Sequence, residues 1–372
     1  MKNIVITVLS VIIMNSCNSK VKILNTIVNN SEKYEFSEKP KNIILMIGDG
    51  MGISQISAAM YQNNNYLNME NAKHIGLIKT HSASSIITDS AAGATAFSTG
   101  QKTYNGSINM DLEKKPLTPI TVLLNNQNMK TGIITSSSVT HATPACFYGN
   151  QKNRYGVGEE LAEQFLSSNI DVLIGGGEDF FNNRRDGRNL IDSLKKKNYI
   201  IIDSIVDKTP EKTEKLINFC APKEPSEKEK GRGDFLSLAT EKGISILDTN
   251  NENGFFLMIE GAQIDWGGHD NDSDYIISET LDFDKSVGLA LEFAKKDKNT
   301  LVLITADHET GGYGIKGKNK ISNKLKTGFL SDDHTATMVP LFAFGPGADN
   351  FIGIYDNTNV FDKIMNSLTS EK

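Results

Sequence analysis

The sequence predicts an α/β protein, a three-layer α/β/α sandwich around a central, mostly parallel sheet. Two observations carry that expectation. Five short apolar runs are continuous rather than alternating, as in strands covered on both faces. The segments between them repeat apolar residues at helical spacing, which makes layers of helix and sheet. The first run is Ile43–Ile47, and Gly132–Ile134, Val172–Ile174, Phe255–Ile259 and Leu301–Ile304 follow in order. Residues 159–167 and 278–296 read as helices among them. The stretch at about 183–233 is rich in Lys, Asp, Glu and Asn and reads as a polar insert, an excursion from the core. Within it, Arg232-Gly233-Asp234 matches an adhesion tripeptide, but such triplets arise by chance and no function is assigned. Residues 316–326 are basic and polar and read as a surface loop.

The N-terminus reads as an export signal. Lys2 precedes the apolar run Ile4–Met14, shorter than the roughly 17–25 residues of a membrane span and of the length of a signal-peptide core. Asn15-Ser16-Cys17 follows, a Cys after small residues that is similar to the acylation site of bacterial lipoproteins; plain secretion with cleavage nearby is the alternative. The expected organisation is a signal peptide and lipobox at 1–17, a polar tether at 18–38, and a single catalytic domain at 39–372. The expected location is the periplasm or, through lipidated Cys17, the outer membrane. With Cys17 used in this way only Cys146 and Cys220 remain, and sequence alone leaves a bridge or two free thiols open.

Net charge is -6 over 372 residues, which argues against a nucleic-acid partner, since that needs clustered Lys and Arg. It does not argue against a small anionic substrate, because bound cations and one Arg can reverse the field in a pocket.

The ends of three apolar runs hold the chemistry. Ile43–Ile47 leads into Gly48-Asp49-Gly50, and Phe255–Ile259 into Glu260, Asp265, Trp266 and His269. Leu301–Ile304 leads into Thr305-Ala306-Asp307-His308. Ligands of open α/β sheets bind beyond the carboxyl ends of the strands. A charged group there is costly unless paired or bound to a metal, and three such sites are too many to be helix caps. Imidazole with carboxylate suits zinc, oxygen-only clusters suit magnesium, and the mixture suggests more than one ion. Asp265 and His269, four apart, would share a helix face. His141, in Thr140-His141-Ala142-Thr143-Pro144, and His334, in Ser331-Asp332-Asp333-His334, are further candidates. Thr88-Asp89-Ser90 followed by small residues reads as a helix opening at Ser90, and a helix N-terminus favours an anion; an ordinary N-cap is the bland alternative. Arg154 offers a planar fork suited to phosphate.

Together these motifs closely resemble the alkaline phosphatase family, from Asn42 to about Gly347. The most specific are Gly48-Asp49-Gly50, Thr88–Ala96, Glu260–Asp265 and Thr305–His308. The resemblance implies hydrolysis of phosphate monoesters to alcohol and inorganic phosphate, with Ser90 as a nucleophile that becomes phosphorylated. It implies two Zn2+ and one Mg2+. Asp265, His269 and His334 would hold one zinc, Asp307, His308 and Asp49 the other, and Asp49, Thr143 and Glu260 the magnesium. Arg154 would clamp phosphate with the Asp89 region orienting it, and His141 and Trp266 would complete the substrate side. Two departures stand out. His141 occupies a position where some bacterial members carry Asp, which would leave it behind a partly water-held magnesium. Trp266 replaces a Lys or His that reaches phosphate through water. Activity favouring alkaline pH and a homodimer are also implied.

Two other readings compete. A sulfatase would need a Cys-x-Pro-x-Arg context, and Cys220-Ala221-Pro222-Lys223-Glu224 lacks the Arg; related phosphodiesterases usually carry Thr as nucleophile. A non-catalytic metal- or phosphate-binding lipoprotein would be expected to lack the nucleophile or part of the ligand set.

Overall fold

The computed structural model describes residues 35–369. The export signal, Cys17 and most of the tether lie outside them. Among the described residues no helix is long and apolar enough to cross a membrane.

The strands run in chain order β1 Asn42–Gly48, β2 His74–Lys79, β3 Lys130–Ser138, β4 Val172–Gly176, β5 Ile200–Ile202, β6 Leu216–Phe219 and β7 Phe255–Gly261. After these come β8 Thr300–Thr305, β9 Glu309–Thr310, β10 Gly314–Lys318, β11 Leu325–Gly328, β12 His334–Thr335, β13 Val339–Phe344 and β14 Gly353–Asp356. Ten of them form one sheet in the order β14-β2-β13-β8-β1-β7-β3-β4-β6-β5. Every neighbouring pair is parallel except those made by β13, which runs against β2 and β8. All seven residues of β1 and of β7 are buried, so the continuous apolar runs are strands covered on both faces.

Helices flank this sheet in two groups. Ile53–Gln62, Phe235–Asp248, Gln263–His269 and Ser273–Asp297 pack on one another, as do Ser90–Thr99, Ala142–Ala145 and Thr358–Thr369. The fold is the α/β sandwich the sequence predicts. Helices Gly158–Phe165 and Ser273–Asp297 cover the two segments expected to be helical.

The polar stretch 183–233 lies closer to the core than its composition suggests. It contributes β5 and β6, which extend the sheet by one edge, and Leu216–Phe219 is buried throughout. Asn218 interrupts its apolar residues and charged residues flank it, so no run registers. In the adhesion-like tripeptide Asp234 is exposed, but the Arg232 side chain is only 2 % exposed and is ion-paired to Glu279 and, at 3.1 Å, to Asp282. Residues 319–324 form the exposed loop of the antiparallel hairpin β10–β11, and the rest of the 316–326 stretch lies in its two strands. Cys146 and Cys220 are both free.

Candidate active site

Strand order explains why the motifs converge. β8, β1, β7 and β3 are adjacent and parallel, so their carboxyl ends open on one edge, where α/β proteins bind ligands. Asp49 follows β1, Glu260 lies in β7, Asp307 and His308 follow β8, and His141 and Thr143 follow β3. Asp265 and His269 stand one turn apart on helix Gln263–His269, with Asp265 Oδ2 and His269 Nε2 3.4 Å apart. Gly50 makes the crossing possible. Its φ is +72°, and a Cβ there would lie 2.7 Å from both the Asp265 Cα and the Thr310 Oγ1, a combination only glycine accepts.

Two metal-sized clusters result, sharing Asp49. In one, Asp49, Asp307 and His308 offer converging ligand atoms, with His308 Nε2 3.3 Å from Asp49 Oδ1 and 3.4 Å from Asp307 Oδ2. In the other, Asp49 and Glu260 converge with a His141 ring nitrogen, and Thr143 Oγ1 donates to Asp49 Oδ2 at 3.5 Å. His141, expected to sit behind this cluster, is therefore within ligating range of it. A third set joins Asp265, His269 and His334. His334 Nε2 is 3.5 Å from Asp265 Oδ1 and 3.1 Å from His269 Nε2. The other nitrogens of these rings face carbonyls, His269 Nδ1 that of Asp332 at 2.6 Å and His334 Nδ1 that of Thr88 at 2.8 Å. Such contacts fix the tautomer and leave both Nε2 lone pairs pointing inward, as metal-binding imidazoles require.

The donor set fits cations. Asp49 Oδ1, Asp307 Oδ2 and Glu260 Oε1 are buried without a hydrogen-bond partner, and buried polar atoms are otherwise almost always satisfied. Burial, then the Asp307, Asp265 and Glu260 charges, push the Asp49 carboxyl well above the usual carboxylate range. Burial and the Asp265 charge raise Asp307 to about 6. Burial, with the Asp307 charge, raises Glu260 to about 7 against hydrogen bonds from Thr135 and Thr143. Burial and the His334 charge hold His308 well below its ordinary value. Asp265 behaves oppositely, because His269, His308 and His334 outweigh its burial and keep it ionised.

The nucleophile candidate faces the same edge. Ser90 opens helix Ser90–Thr99, where Asp89 is the N-cap, its Oδ1 accepting from Ala92 N at 3.0 Å. Ser90 is 2 % exposed, and its Oγ lies 3.4 Å from His308 Nε2. The second Asp89 oxygen accepts from Gly106 N at 3.0 Å and from Arg154 Nη1 at 3.3 Å. Arg154 Nη2 meets His141 Nε2 at 3.3 Å. Burial and the Arg154 charge depress His141 to about 3, so its neutral ring can accept that contact. Asp89 thus caps the helix and aims the guanidinium at once. Ser90, Asp89, Arg154, His141, Asp265, Trp266, His269 and His334 line one cavity of about 520 Å3.

Sequence reasoning missed the residues that hold the ligands. Thr310 donates its hydroxyl to Asp265 and lies 3.2 Å from His308 Nδ1, bridging two clusters. The Thr135 hydroxyl donates to Glu260, and Ser137 Oγ does so at 3.3 Å. Thr310 follows the Asp307-His308 pair by two residues, a proximity that could have marked it; Thr135 and Ser137 carry no such signal. Tyr155, next to Arg154, also lines the cavity.

A family description, "Alkaline phosphatase", matches residues 40–326. Alkaline phosphatase 4 of Bacillus subtilis is 31% identical over 90% of this chain and 91% of its own length. Alkaline phosphatase from the Antarctic bacterium TAB5 superposes with a TM-score of 0.85 at 42% identity, over 91% of this chain and 100% of that one. A variant of the TAB5 enzyme with Mg bound in its M3 site is 41% identical, with a TM-score of 0.84 and the same coverage.

Proposed function

The chain belongs to the alkaline phosphatase family, a phosphatase acting on phosphomonoesters, and from that premise we propose that it works through a phosphorylated Ser90 beside two zinc ions and one magnesium ion. The observation that carries this is the set of buried, unpartnered carboxylate oxygens on Asp49, Asp307 and Glu260, beside a Ser90 hydroxyl at a helix start. Asp265, His269 and His334 would hold one zinc, and Asp49, Asp307 and His308 the other. Asp49, Glu260 and Thr143 would hold magnesium, with His141 close enough to join. Bound there, the ions supply positive charge that neutralises phosphate oxygens and eases deprotonation of the Ser90 hydroxyl.

The residues of the chain do the rest. Arg154, aimed by Asp89, takes two phosphate oxygens in its fork. Ser90 Oγ, its proton passing to solvent, forms a bond to phosphorus while the ester P–O bond opposite it breaks, and the departing alcohol oxygen takes a proton from solvent. Water then attacks the phosphoserine, its proton returning to Ser90 Oγ as orthophosphate leaves. Two displacements give net retention at phosphorus. Positioning and charge suffice for such a transfer, which needs little covalent help.

The test is hydrolysis of p-nitrophenyl phosphate by chelated protein before and after metal return. Loss of at least about a hundredfold on chelation, restored only by zinc and magnesium together, is expected; activity indifferent to chelator would reject the metal assignment. Export with acylation at Cys17, and pairing into a homodimer, belong to the same proposal. Ile53 and Tyr61 stand 53% and 45% exposed on one helix, a face a second copy could cover. Fatty-acid labelling that persists in Cys17→Ser, or a monomeric mass by light scattering, would remove either part.

A further inference from the structure

We propose that Tyr155 and Ile87 form a leaving-group subsite that selects phosphomonoesters whose alcohol carries a planar aromatic ring, such as nucleosides, over those of small aliphatic alcohols. This rests on the phosphomonoesterase reading above.

The cavity over Ser90, at about 520 Å3, is in the range of pockets that enclose whole small molecules. A phosphate group fills only a minor part of it. Its deep lining is polar: Ser90, Asp265 and Arg154 are buried or half-buried. Its apolar lining is Ile87, Tyr155 and the half-buried Trp266. Ile87 is 36% exposed and Tyr155 73%, so the apolar surface sits at the mouth, where an ester's alcohol would lie once its phosphate reached Ser90.

Both rim residues stand on fixed backbone although their side chains are uncovered. Ile87 N donates to Ser85 Oγ at 3.1 Å, and Ile87 O accepts from Asn105 Nδ2 at 3.0 Å. Ser82 Oγ accepts from the backbone N–H groups of Ser84 and Ser85 at 3.2 and 3.1 Å, which stiffens the turn before it. Tyr155 N donates to Asn153 Oδ1 at 3.1 Å. The Tyr155 ring also lies 5.7 Å from the Arg154 guanidinium carbon. An aromatic ring held beside the phosphate-binding Arg offers stacking surface that needs little ordering on binding. Asn105 lines the same mouth. Its Nδ2 is engaged by Ile87, and its oxygen remains to accept from a polar edge of the ring.

Adenosine monophosphate and ribose phosphate share one leaving oxygen and differ by the aromatic base, so the ratio of their kcat/KM values isolates the subsite. The wild type is expected to prefer the nucleotide about tenfold, as aromatic stacking of one base allows. Tyr155→Ala should cut that preference to about twofold, Tyr155→Phe should keep it, and Ile87→Ser should lower it in part. A general disturbance of Arg154 divides out of the ratio. A wild-type ratio near one, or a ratio unmoved in both Tyr155→Ala and Ile87→Ser, would overturn the proposal. Hydrolysis of neither ester would instead reject the phosphomonoesterase reading beneath it.

Discussion

Ser90→Ala is expected to lower kcat for phosphomonoester hydrolysis by roughly 10⁴-fold or more, the scale on which enzymes lose a nucleophile. One oxygen is removed from a residue that is 2 % exposed at the start of a helix. Ala suits that helix, and Ser90 Oγ has only the long 3.4 Å contact to His308, so the melting temperature should hardly move. Phosphate affinity, measured by calorimetry, should stay within a few-fold, because Arg154 keeps its partners Asp89 and His141. The wild type quenched in acid during turnover should carry phosphate on Ser90, and the variant none. Near-normal kcat in the variant would mean that another group attacks phosphorus.

Asp49→Asn is expected to move activity and stability in opposite directions. Asp49 belongs to two of the clusters, so losing its charge should lower metal-dependent kcat by roughly a thousandfold. Without metal the same charge is a burden. Its carboxyl is raised by burial and by Asp307, Asp265 and Glu260. A raised folded-state value means that this group favours the fold only while protonated, below the ordinary carboxylate range, and works against it as pH rises through the folded value. Above the ordinary carboxylate range the crowded carboxyl groups of Asp49 and its neighbours therefore oppose folding of the chelated protein. Asn removes one of them, and the chelated variant should melt a few degrees above the chelated wild type. The difference should shrink as pH falls toward the ordinary carboxylate range, where the penalty on the wild-type carboxyl is lost. A chelated variant that melts below the wild type would contradict the origin assigned to the Asp49 shift.

What was legible in the sequence was local. Asp265 and His269 share a helix turn because four residues make one, and Asp89 caps the helix at Ser90 because the cap lies next to what it caps. Strands β1, β3, β4, β7 and β8 announced themselves because burial on both faces writes a continuous apolar run. What was hidden depends on neighbours distant in the chain. Nothing in Val339–Phe344 says that this strand runs against the sheet, and β6 is interrupted by Asn218 between charged flanks. Thr310 and Thr135 matter because of carboxylates on other elements, which a pattern along the chain does not reveal. His141 was found but set too far back, since its reach toward Asp49 and Glu260 follows from the packing of β3 beside β7.

The contact from His334 to the Thr88 carbonyl joins residues 246 positions apart. It ties the His334 imidazole to the segment that opens the Ser90 helix. That side of the site is therefore complete only once residue 334 is in place. A chain still emerging from its ribosome has Ser90 long before it has His334, and in that interval it should be inert toward phosphate esters.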